Sequence, residues 1–105
     1  MTQTDLVNAI GNVLTQIDTA LMGLDPSMGQ WQQLYALRKH LDDQQRSLVA
    51  ATIQADDVAF TQAAAVVQLA TRQLNAQIAA QNQIDSVIKT VSQISASLDQ
   101  ILKMV

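Results

Sequence analysis

Residues 58–105 read VAFTQAAAVVQLATRQLNAQIAAQNQIDSVIKTVSQISASLDQILKMV, a run with neither glycine nor proline. Apolar residues recur there every three or four positions and never alternate, which is the period of an α-helix and not of a strand. As far as Ile78 the inward stripe is Phe60, Ala64, Val67, Thr71, Leu74 and Ile78. From Ile84 it becomes a strict 3-4 spacing: Ile84, Val87, Val91, Ile94, Leu98, Ile101 and Val105. The two stripes are out of phase by one step near Gln81. Such a slip is either a stammer within one helix or a turn around Asn82 to Asp85. One helix over 57–104 would be about 72 Å long at 1.5 Å per residue. With no glycine or proline to mark a break, the pattern predicts the unbroken helix, the long C-terminal member of an all-α, antiparallel three-helix bundle. A break near 82–85 gives the alternative, a four-helix up-down bundle.

Upstream, punctuation is dense. Glycine and proline occur only at Gly11, Gly23, Pro26 and Gly29. Gly23 suits a left-handed residue just past a helix, with Leu24 folding back onto that helix. Asp25 suits an N-cap and Pro26 the first helical position, where its missing N–H costs nothing. The segment therefore predicts a tight helical hairpin turn between a helix over about 4–22 and one over about 26–54. The first helix carries the stripe Leu6, Ile10, Val13, Ile17, Leu21 and Leu24, with Val7 and Leu14 beside it. Thr2 or Thr4 can cap it, and Asp5 lies at the positive end of its dipole. Gly11 inside it points to a close approach by another helix. The second helix carries Leu34, Leu37, Leu41, Leu48 and Ala51, interrupted by Gln44. Arg38 with Asp42, Lys39 with Asp43 and Asp42 with Arg46 stand at i,i+4 spacing, where oppositely charged pairs support an exposed helix. Asp56 and Asp57 offer an N-cap after a second turn at 54–57. The whole chain, 1–105, reads as one helical domain.

The Ile84–Val105 seam is the most specific pattern in the chain. Ile84, Val91, Leu98 and Val105 fall at position a of a heptad, and Val87, Ile94 and Ile101 at position d. Both positions are mostly β-branched, a choice that leans toward trimers and tetramers in parallel coiled coils. None of the flanking e and g residues is charged, so no electrostatic rule selects the neighbour. The seam therefore reads as the core face of a bundle helix or as an oligomer-forming, partner-binding surface. Trp31 and Tyr35, one turn apart after the hairpin, read as an anchor for a partner or as a cap on the end of the bundle. Arg72, the only charge between Val58 and Ile84, suits either a snorkelling position or a pair with an Asp of a neighbouring helix.

Composition removes several chemistries. The chain has 105 residues, nine acidic and six basic, for a net charge of −3 with His40 neutral, and only 14% of residues are charged. All nine acids are Asp, whereas Gln occurs sixteen times and Ala fifteen. With no Cys there is no disulfide framework, thiolate metal site or cysteine nucleophile. The six basic residues are scattered in an acidic chain, which excludes the clustered cations of a nucleic-acid binder. His40 with Asp42 and Asp43 lacks the further ligands of a metal centre and reads as a solvated face. No phosphate loop, nucleophile elbow or calcium loop is present. The expectation is a non-enzyme with no cofactor. The start of the chain has no positive, then apolar, signal pattern, and no stretch has the length of a membrane span, so the expected location is cytoplasmic or reached by a signal-less export route.

Two local resemblances accompany these patterns. Pro26-Ser27 followed by Tyr35 resembles the turn of type III secretion needle subunits, although Gly29 stands where those have a second proline and the chain runs about fifty residues further. Gly29-Gln30-Trp31 resembles, in reversed order, the Trp-X-Gly turn of small secreted helical hairpins. These imply a substrate or structural subunit of a bacterial secretion apparatus or filament. The residues themselves predict a non-catalytic bundle that acts by protein–protein contact and self-associates through Ile84, Val87, Val91, Ile94, Leu98, Ile101 and Val105, with Trp31 and Tyr35 as further contact residues. The partner's identity is not legible. An inhibitor or immunity-type binder, or a membrane-active helical protein built on the weakly charged Val58–Ile84 stretch, completes the set.

Overall fold

The first helix opens on a capping box. Thr2 Oγ1 accepts from the Asp5 N–H at 3.1 Å, and Asp5 Oδ2 accepts from the Thr2 N–H at 3.0 Å. Two of the four orphan donors of a helix start are thereby satisfied. The computed structural model describes residues 2–51, 58–80 and 83–103 (for Ala59 the backbone alone). Among them the chain is all-α, with helices α1 (Gln3–Met22), α2 (Gly29–Ala50), α3 (Val58–Ala79) and α4 (Ile84–Leu102).

The α1–α2 turn departs from its expected chemistry. Gly23 has φ −87° and ψ 0°, a right-handed conformation. The chain tightens into a further turn there, with the Gly23 N–H on Ala20 O at 3.2 Å and the Leu24 N–H on Leu21 O at 3.1 Å. Asp25 does not cap α2. Its Oδ1 instead accepts from the Ser27 N–H (2.9 Å) and hydroxyl (2.8 Å), a local turn of the kind Asp favours. Pro26 consequently lies in the turn and Met28 is the N-cap of α2. At the other end α2 stops at Ala50, short of the expected residue 54, because Ala51 is extended (φ −78°, ψ 154°). The expected second turn at 54–57, with Asp56 and Asp57, lies outside the described residues.

The apolar pattern predicts one helix over 57–104. The described part consists of α3 and α4 packed along each other, and the four-helix alternative with a break near 82–85 fits them. Folding back brings the stripe of α3 onto the seam of α4, so that each supplies the apolar surface the other must bury. Asn82 itself is outside the described residues.

Hydrogen bonds fix the directions of the helices. Gln3 Nε2, at the start of α1, donates to Leu48 O and Ala51 O at the end of α2, while Asp18 near the end of α1 pairs with Arg38 in the middle of α2, so α1 and α2 are antiparallel. Thr90 Oγ1 donates to Gln77 Oε1 at 2.8 Å, which joins the start of α4 to the end of α3. Gln16 and Asn75, both toward the C-terminal ends of α1 and α3, meet side by side, so these two run parallel. Gln44 of α2 likewise meets Ser95 and Asp99 of α4. Each helix thus has two neighbours, α1 and α4 each packing on both α2 and α3. The core between them holds Leu6, Ile10, Ile17, Leu34, Leu41, Leu48, Phe60, Leu74, Ile94 and Leu98, all fully buried.

Candidate functional site

The seam of α4 lies inside the molecule. Val87, Val91, Ile94, Leu98 and Ile101 are buried against α2 and α3. Ile84 is half-buried and lines a cleft of about 450 Å³ with Thr19, Leu24, Ile78 and Val87, at the end where α1 stops and α4 begins. Val105 is outside the described residues. The heptad pattern is therefore filled, over its described length, by this chain's own helices. Thr90, Ser95 and Ser97, which flank the seam, are buried too, and their small size lets neighbouring helices close in.

Trp31 and Tyr35 form a ridge on α2. Being four residues apart, they fall one above the other on a helix. Their rings stack at 5.0 Å between centroids with 16° between planes, and Lys39, one turn on, places Nζ 5.1 Å from the Tyr35 ring centre. Trp31 packs against the core, whereas Tyr35 is 40% exposed. At the same end of the molecule Met22 is 86% exposed, and Met28 is exposed as well. Arg38, on the same helix, gives Asp18 of α1 two bonds, Nε to Oδ1 at 2.8 Å and Nη2 to Oδ2 at 3.2 Å. Those bonds raise the Arg38 pKa, burial acting against them. Of the three i,i+4 pairs read from the sequence, Asp42–Arg46 forms, at 3.0 Å.

His40 does not meet Asp42 or Asp43 in an ion pair; its Nε2 lies 3.9 Å from Asp99 Oδ1, on α4. Among the described residues no three potential metal-ligating side chains gather. The polar group that the sequence marked only as an interruption is Gln44. It is 3% exposed and spans α2 and α4, its Nε2 donating to Ser95 O (3.0 Å) and Asp99 Oδ1 (2.7 Å) while its Oε1 accepts from Ser95 Oγ (3.0 Å).

A second surface lies on α3, where the sequence reading followed only the inward stripe. Val58, Val66 and Leu69 are 70%, 48% and 59% exposed, with Ala65 and Ala76 also exposed between and beyond them. Arg72 is exposed on this face. No helix of the described residues is long and apolar enough to cross a membrane. Comparison of the chain with protein-family models, with curated proteins and with solved structures finds no match.

Proposed function

We propose that this chain is a non-catalytic, four-helix up-down bundle of two packed hairpins that acts by binding another protein. The contact is the α1–α2 end, where Tyr35 projects from its stack on Trp31 beside Met22 and Met28. The observation that carries this reading is the stacked ridge itself. A half-exposed aromatic ring already fixed in one orientation loses little freedom on binding, and such rings dominate protein interfaces. Lys39 at the ridge gives the partner's chemistry, an apolar patch edged by carboxylates. In this reading the α4 seam holds the bundle together, and its burial leaves surface contacts to other helices.

The test is capture from the source organism's extract on immobilised wild type, Tyr35→Asp and, as a control at the far end of α2, Val49→Asp. Both substitutions are at exposed positions and should leave the helical circular dichroism unchanged. A partner held by wild type and by Val49→Asp, and depleted at least about tenfold on Tyr35→Asp, is the expected result. Equal recoveries on wild type and Tyr35→Asp would overturn it.

A further inference from the structure

We infer that the bundle opens along the α1–α3 seam, the α1–α2 hairpin and the α3–α4 hairpin swinging apart as units about the α2–α4 seam. Among the described residues, α1 and α3 share the least extensive contact of the four packed pairs. Their residue types say why. At 100° per residue, the apolar side chains within about 40° of Gln16 on α1 are Ala9 and Ala20, and those within about 40° of its partner Asn75 on α3 are Ala64 and Ala79. The same arc around Gln44 on α2 holds Leu37 and Leu48, and around its partner Ser95 on α4 it includes Ile88, Val91 and Leu102. Hydrophobic stabilisation scales with the apolar area buried, so the alanine-lined seam is the weaker of the two.

The polar contacts differ in the same sense. Both ends of the buried Gln44 amide are bonded to α4. Gln16 donates to Asn75 at the surface, but its Oε1 is buried with no hydrogen-bond partner, the one such side-chain atom among the described residues. An unmet buried acceptor destabilises the closed seam, and that cost disappears once water reaches it. Within the hairpins the ties are firmer: Gln3, Gln45 and the Arg38–Asp18 pair join α1 to α2, and Thr90 with Gln77 joins α4 to α3. The motion therefore keeps each hairpin and parts the two along one side. It brings Val13, on the core face of α1, to water, while Val91, on the α2-facing side of α4, stays covered.

Thiol labelling of the full chain tests this, because the chain has no cysteine to add background. Val13→Cys and Val91→Cys make the same small change at two fully buried positions, one beside each seam. Each variant is treated with iodoacetamide in native buffer, and its labelling rate is divided by that variant's own unfolded fraction from urea titration. The Val13→Cys ratio should exceed the Val91→Cys ratio at least about tenfold, because a sub-global opening is easier than unfolding. Its rate should also rise less steeply with urea, since opening exposes less surface than unfolding. The backbone amides of residues 13–17 should meanwhile exchange hydrogen no faster than those of 91–98, because α1 swings out intact. Equal ratios for the two variants overturn the inference. So do parallel urea slopes, and so does faster exchange at 13–17, which would mean that α1 unravels where it stands.

Discussion

Gly11 is the residue at which sequence and structure meet most directly. A glycine inside a helix costs about 1 kcal/mol relative to alanine, so its presence asks for a neighbour that needs the space. That neighbour is the side chain of Gln45, whose Nε2 would lie 3.4 Å from an added Cβ and which itself donates to Val7 O at 3.1 Å. The close approach expected at Gly11 is therefore by a flexible amide. Because such a group can give by a few tenths of an ångström, the helical preference of alanine should prevail. Gly11→Ala is expected to raise the unfolding free energy by about 0.5–1 kcal/mol in urea titrations. A loss of stability would show that the Gln45–Val7 bond cannot move. Gly23 teaches a different lesson: glycine permits both hands of the backbone, so its identity could not tell the sequence reader that this one is right-handed.

Among the elements, α2 and α4 meet through Gln44, and the pair shows how a polar residue in an apolar stripe can be structural. Replacing it by leucine leaves the buried Ser95 hydroxyl without its acceptor, a loss worth about 1–2 kcal/mol. Removing both partners restores an apolar contact. Gln44→Leu should therefore lower the urea midpoint, and Gln44→Leu with Ser95→Ala should recover most of the loss. Additive losses in that double-mutant cycle would sink the coupling. The inward stripes of α1 and α4 were legible because their large aliphatic residues sit on one side only. The outer face of α3 was harder, since Ala63, Ala64 and Ala70 point inward while Ala65 and Ala76 point out, and alanine on both sides blurs the stripe. Arg38 had an acid both on its own helix and across at Asp18, and spacing weighs only the first. The α4 seam poses the deeper ambiguity. A heptad pattern reads the same whether another chain or another helix of the same chain fills it, and here α2 and α3 fill its described length.

For the molecule as a whole, the oddity of many Gln and no Glu acquires a mechanical meaning. Every packed pair of helices is clipped by an amide side chain: Gln3 and Gln45 across α1 and α2, Gln16 with Asn75 across α1 and α3, Gln44 across α2 and α4, and Gln77 with Thr90 across α3 and α4. Amides do not titrate in the working range of pH, so these clips hold equally at neutral and acid pH. Among the described residues, the carboxyls that titrate with a shift lie in the first turn of α1 and in the α1–α2 turn. The Asp5 carboxyl is held below the ordinary carboxylate range, first by the Thr2 N–H and then by the Thr2 side chain, and Asp25 is held low by the N–H and hydroxyl of Ser27. A carboxyl whose pKa is lower in the folded chain stabilises it above the unfolded value, near 4, and that contribution is lost as pH falls through the folded value. The urea midpoint should therefore be nearly flat from pH 7 to about 5 and begin to decline only below about pH 4. Asp5→Asn and Asp25→Asn together should flatten that decline while leaving the bundle folded. A midpoint that already collapses between pH 7 and 5 would show that charge, and not the amide clips, holds the helices together.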